Sequence, residues 1–341
     1  MGIQLDTGSR MNDIFLAYGD SFTWGHGLQY YDWIKNSKMS KEEIKDFLLK
    51  DQQATHHQWV NFDFKCTAGD LESMRKRRYT TLLSKELGMD YISRINNGGS
   101  NFANVHMITK LLSDDSYGSD KAPPTVAASG GIWWDDESKW KKANHSLNRD
   151  KLMNRKIKFI VLQLTDIARG TFGFKSLNVH SGELEHVKTT IGEWWDTYLS
   201  HRNSAGIFKL PKKKSTEELT KNDKELKQKL FMLRKSVRKL FELCKKKNIK
   251  LYVWAWPTQS AYLFNDEPYF VTINYEGKEY SSYEDLLYEH PKFCLGTYWN
   301  TVEERLEDGD LGEYGVSDEH PSEHFHKLIS ETLLNKINGE V

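Results

Sequence analysis

Four short apolar runs constrain this chain more than any other feature: Ile14 to Tyr18, Tyr91 to Ile95, Phe159 to Leu164 and Leu251 to Trp256. Each is rich in β-branched or aromatic residues and lacks the polar alternation of a strand with one wet face, so each reads as a strand buried on both sides. Helical patterns fall between and after them. Tyr79 to Leu87 precedes the second run and Asn101 to Leu112 follows it. Between the third and fourth runs, Leu226, Leu230, Leu233, Val237, Leu240 and Cys244 recur at alternating spacings of four and three, the mark of a helix with one apolar face. After Pro321, Phe325, Leu328, Ile329, Leu333 and Ile337 mark a terminal helix. Alternating strands and helices predict an α/β domain of three layers, α/β/α, around a mostly parallel sheet.

The connections at 28–70, 113–155, 170–222 and 258–316 are long for such a domain and read as insertions around the rim of the sheet. Within the last, "YFVTINYEGKEYSS" alternates about Glu276 and Gly277 and predicts a β-hairpin. Residues 1–10 read as a disordered lead and 11–341 as one domain. Lys plus Arg and Asp plus Glu are both 48, and this zero formal charge argues against bulk attraction to nucleic acid or an anionic membrane. Cys66, Cys244 and Cys294 are widely spaced and form no C-x-x-C pair, so free thiols in a reducing compartment are expected. The first residues lack the charged flank and apolar stretch of a signal peptide, and no apolar run approaches the roughly 18 residues of a membrane span. A cytoplasmic protein is the expectation, or one of virion or host cytoplasm if virus-encoded.

The chemistry begins at the end of the first run, in "GDSFTWG", Gly19 to Gly25. A serine at the carboxyl end of a strand can project its hydroxyl into the crevice above a parallel sheet while its own amide faces a developing oxyanion. Ser21 therefore needs a base. The segment "SDEHPSEHFHK" supplies Asp318 and His320 just before the terminal helix, where one loop can carry both to the same sheet edge. In a nucleophilic mechanism His320 takes the proton of Ser21, and Asp318 orients the imidazole.

These blocks resemble the SGNH or GDSL-type hydrolases, which carry a G-D-S motif near the N-terminus and an Asp and His pair near the C-terminus. The family's second block, a glycine after the second strand, is matched by "NNGGSN", Asn96 to Asn101, with Gly99 as the amide donor the resemblance implies. Its third block, Gly-x-Asn-Asp, corresponds to "LQLTDIAR", where Thr165 stands in place of the asparagine and Gln163 in place of the glycine. The terminal pair is Asp-x-His rather than the commoner Asp-x-x-His. The resemblance implies a flavodoxin-like fold and a serine esterase acting through an acyl-Ser21 intermediate, without metal or organic cofactor. It assigns Ser21, Gly99 and Thr165 to the oxyanion site. Its substrate would be a small-molecule or carbohydrate ester, such as an acetylated sugar.

Other readings of the same residues stand beside this one. Ser21 suits a helix N-cap or a phosphate-binding loop, so a phosphate or nucleotide-binding module is one alternative. A catalytically silent SGNH-like binding or structural protein is another, with the altered third block as its signature. Asp20 is read as a structural residue that holds the turn, not as part of a triad. His320 and His324 are spaced to share a helical face, yet with His326, His56 and His57 they complete no metal-ligand pattern, and no metal is expected. Trp24, three residues from Ser21, and Arg169, beyond the third strand, are candidate substrate contacts. "RKRRY", Arg75 to Tyr79, reads as a solvated turn or an interface patch.

Overall fold

The computed structural model describes residues 13–25, 27–28, 30–47, 68–96, 101–113, 132–133, 155–165, 174–177, 184–186, 224–295 and 320–339. Strand β1, Asp13–Gly19, leads into the short helix α1, Ser21–Trp24, and then α2, Tyr30–Asn36. Helices α3, Ala68–Arg77, and α4, Tyr79–Leu87, precede β2, Asp90–Asn96, and α5, Asn101–Ser113, follows it. The chain continues through β3, Ile132–Trp133, β4, Lys156–Leu164, β5, Phe174–Leu177, and β6, Leu184–His186. Helix α6, Lys224–Lys246, enters β7, Lys250–Ala255. Then come α7, Thr258–Tyr262, β8, Ile273–Tyr275, β9, Lys278–Tyr280, α8, Tyr283–Glu289, and the terminal helix α9, Glu323–Asn338.

The main sheet has the order β3-β2-β1-β4-β7, parallel throughout except for the short antiparallel β3. The four predicted runs are these four parallel strands. Their side chains alternate between two cores, as the period of two requires. Ile14, Leu16, Ile160, Leu162, Leu251 and Val253 pack beneath α5 and α6, where Leu233, Val237, Leu240 and Cys244 supply the buried stripe. Phe15, Ala17, Phe159, Val161, Tyr252 and Trp254 pack on the other face against α4 and α9, through Tyr79, Leu83, Phe325, Ile329 and Leu333. Phe15 of the central strand stacks on Phe159 at 4.8 Å and on Tyr91 at 5.4 Å, so aromatic pairs tie neighbouring strands together. Among the described residues, no helix is long and apolar enough to cross a membrane.

The predicted hairpin forms as β8 and β9. Glu276 and Gly277 at its tip have φ of 51° and 77°, the left-handed pair that a two-residue hairpin loop of this hand requires. The stretch read as a rim insertion from 258 onward behaves differently in its described part. Val253 donates to Tyr269 O at 2.9 Å and accepts from Val271 N at 2.8 Å, a parallel bridge that extends the sheet beyond β7. Val271, Ile273, Tyr280, Tyr283 and Leu286 then join the second core. Core formation therefore draws on chain that looked peripheral because its apolar residues follow no long period. Cys244 and Cys294 are buried free thiols, and burial pushes the Cys244 thiol up to about 12.

Candidate functional site

Because the strands run parallel, their carboxyl ends share one edge, and the residue after each strand is delivered there. Asp20 follows β1, Thr165 follows β4 and Trp256 follows β7, and all three are buried. The strand order reverses between β1 and β4, where an open α/β sheet leaves its crevice. Trp256 Nε1 donates to Thr165 Oγ1 at 3.0 Å, and Thr165 Oγ1 donates to Asp20 Oδ2 at 2.7 Å. Asp20 Oδ1 accepts the Phe22 amide at 2.9 Å, which makes Asp20 the N-cap of α1. Its own amide donates to Gln163 Oε1 at 3.0 Å, and the same oxygen accepts the Thr23 hydroxyl at 2.9 Å. The turn carrying Ser21 is thus tied to the end of β4 on both sides of the serine. A Cβ on Gly19 would lie 2.1 Å from Thr23 Oγ1 and 2.5 Å from Gln163 Oε1, so this turn closes too tightly for any other residue.

Asn101, the first residue of α5, grips the Thr165 main chain. Its Nδ2 donates to Thr165 O at 2.7 Å and its Oδ1 accepts the Thr165 amide at 2.7 Å, while Ser260 Oγ adds a bond to the same carbonyl at 2.9 Å. The ends of β1, β4 and β7, together with the start of α5 and Ser260 of α7, therefore contribute to one polar cluster. A hydroxyl has a single proton and an indole nitrogen can only donate, so Thr165 Oγ1 accepts from Trp256 and directs its proton to Asp20. The hydroxyl read from the sequence as an oxyanion donor is committed elsewhere in this structure. Gln163 is committed too, because its Nε2 donates to Leu164 O at 3.2 Å.

His320 reaches the same place from the far end of the chain. Its carbonyl accepts Leu295 N at 2.9 Å, Pro321 bridges Cys294, and Ser322 N donates to Phe293 O at 2.9 Å, which pin the segment to the body of the domain. The imidazole is 3% exposed, and its ring centre lies 4.8 Å from that of Phe22, the residue after Ser21. Phe22 in turn stacks on Trp256 at 4.8 Å with the rings 10° from parallel, and meets Tyr283 edge-on. Glu323, a nearby carboxylate, is engaged by Arg77 and Lys327. Ser21 and Trp24 open and close α1, with side chains outside the described residues, as are Gly99, Arg169 and Asp318 entirely.

No protein-family model, curated protein or solved structure matches the chain.

His326 occupies a separate position in the second core. Its Nδ1 accepts the Tyr79 amide at 3.2 Å, which places the proton of the neutral ring on Nε2, a buried atom with no hydrogen-bond partner among the described residues. Burial, with the charges of Arg78 and His320 behind it, pulls this histidine down to about 3, so it is neutral at ordinary pH. Among the described residues no group of three or more His, Cys, Asp or Glu gathers as a metal site. In the basic run, read from the sequence as a solvated turn or an interface patch, two arginines turn inward. Arg78 is fully buried and donates to Tyr91 Oη at 2.7 Å, and Arg77 joins Asp32 to Glu323. Sequence reasoning did not assign Trp256 or Asn101 to this site; the available signal was the place of Trp256 just past β7 and of Asn101 at the start of the helix after β2.

Proposed function

We propose that the chain is a serine esterase of SGNH type on a flavodoxin-like three-layer α/β/α fold. The observation that carries this reading is the meeting of His320 with the Gly19–Phe22 turn: a histidine from the last segment packs on the ring next to Ser21 at the carboxyl edge of the sheet. In the reaction, Ser21 Oγ bonds to the ester carbonyl carbon as its proton passes to His320. The tetrahedral oxyanion is met by the amides of Ser21 and Gly99. Collapse breaks the carbon–oxygen bond to the alcohol, which leaves with the proton from His320. Water then attacks the acyl-Ser21, again with His320 as base, and releases the acid. Asp318 orients His320, and Trp24 and Arg169 contact the substrate. A small acyl group on a small molecule or carbohydrate is the favoured substrate, and the chemistry needs neither metal nor organic cofactor.

A second reading, a catalytically silent SGNH-like binding protein, is favoured by the Thr165 hydroxyl, whose proton goes to Asp20. A phosphate-binding loop is disfavoured because the Phe22 amide, which an anion would need, is taken by Asp20. Labelling with a fluorophosphonate tests the proposal. A covalent adduct on Ser21, lost in Ser21→Ala and strongly reduced in His320→Ala, is the expected result, accompanied by loss of activated acetate ester hydrolysis on the order of 10⁶-fold in the serine variant. A folded wild-type protein that takes no label would move the assignment to the silent reading.

A further inference from the structure

The indole of Trp256 does two things at once. It donates a hydrogen bond to Thr165, and it lies flat against Phe22, which carries His320 on its ring. Core filling accounts for the stacking but not for the hydrogen bond. A buried indole nitrogen needs an acceptor, and here the acceptor is a hydroxyl that must pass its own proton onward. Since Trp256 can only donate, the Thr165 rotor is fixed toward Asp20 Oδ2, and the other oxygen of that carboxyl caps the amide of Phe22, one residue past Ser21. The indole can only donate and the Asp20 oxygen accepts, so the Thr165 hydroxyl links the two in one direction, while the Phe22 amide donates to the other oxygen of Asp20.

We propose that Trp256 is a positioning residue for Ser21, acting through Thr165 and Asp20. Without the indole donor, the Thr165 hydroxyl regains its freedom to rotate, and the cap on α1 loses its fixed partner. For its effect on rate the inference rests on the esterase reading; for its effect on the turn it does not.

Trp256→Phe keeps an aromatic ring against Phe22 and removes only the donor. Thr165→Val keeps the shape and removes the link. Fluorophosphonate labelling rate per folded molecule and thermal midpoint are measured for the wild type, both single variants and the double variant. The expected result is a roughly 5- to 10-fold slower labelling in Trp256→Phe, the loss of about one hydrogen bond's worth of positioning. Thr165→Val is slower still, and the double variant matches Thr165→Val, because a broken link leaves Trp256 nothing to act through. A full labelling rate in Trp256→Phe, or effects that simply multiply, overturns the inference while leaving the esterase reading intact. If the wild type takes no label, the esterase reading fails alone and the midpoints decide: non-additive losses support the line from Trp256 to Asp20, additive losses overturn it. Should Trp256→Phe not fold, Thr165→Ser against Thr165→Val carries the test, since serine retains the hydroxyl and is expected to keep the rate or midpoint that valine loses. Equal behaviour of those two variants also overturns the inference.

Discussion

His326 shows how burial turns a histidine into a liability in acid. In the folded chain the ring is neutral, its Nδ1 bound to the Tyr79 amide and its protonation pulled down to about 3. In the unfolded chain it titrates near the ordinary histidine value of roughly 6.5. Between those values the unfolded state binds a proton that the native state refuses, so stability is fully present above about pH 6.5 and falls as pH drops toward 3, by up to about 1.4 kcal/mol per pH unit for one proton. His326→Asn retains an acceptor near Nδ1 but cannot titrate. Denaturant midpoints at pH 7 and pH 4.5 are expected to differ less in this variant than in the wild type; an unchanged difference would show that other groups control the acid limb. At this scale Asp20 was legible as a structural residue, because a carboxyl before a helix start is a ready cap. The fate of the Thr165 proton was not, since Trp256, which dictates it, lies in a distant part of the sequence.

Elements were read well where one period dominates. Helix α4, Tyr79–Leu87, has the bounds its pattern predicts, and α6 buries the predicted stripe from Leu233 through Cys244. The charged run before α4 was read as a solvated turn or an interface patch, and charge alone could not show which groups of its own chain approach Arg77 and Arg78. Arg77 donates to Asp32 Oδ1 at 2.6 Å and to Glu323 Oε2 at 3.1 Å, its guanidinium lies 5.4 Å from the Tyr31 ring centre, and Tyr31 Oη accepts the Glu323 amide at 3.2 Å. One guanidinium thereby joins α2, which follows the Ser21 turn, to α9, which follows His320. The Arg77 bond holds the Asp32 carboxyl well below the usual carboxylate range, so the clasp persists through mildly acid conditions. Its side chains are only partly exposed, which places it between a surface pair and a buried one. Arg77→Met is expected to cost on the order of 1–2 kcal/mol in chemical denaturation, with the loss shrinking in strong acid. A loss that persists undiminished at a pH where both carboxylates are protonated would point to packing of the arginine stem on Tyr31 instead.

At the scale of the whole molecule, two cores share one sheet, and each parallel strand contributes to both. Leu240→Ala in the first core and Leu333→Ala in the second should each cost about 2–5 kcal/mol, and both should lower the same single unfolding transition. Two separable transitions would mean that the sheet does not couple its faces. The sequence by itself determined the four parallel strands, the hairpin of β8 and β9, and the helices α4, α5, α6 and α9, because periodicity and the lengths of apolar runs are local properties of the chain. It also marked the turn at Gly19 to Ser21 and the histidine at the other end as the pair to watch. The tertiary structure decided the order of the strands, the recruitment of residues 269–271 to the edge of β7, the burial of Arg78 and the convergence of Asp20, Thr165 and Trp256. Those outcomes depend on contacts between segments far apart in sequence. A pattern along the chain can say that a strand ends in threonine or tryptophan, but the bond between them exists only once parallel pairing brings the strand ends to one edge.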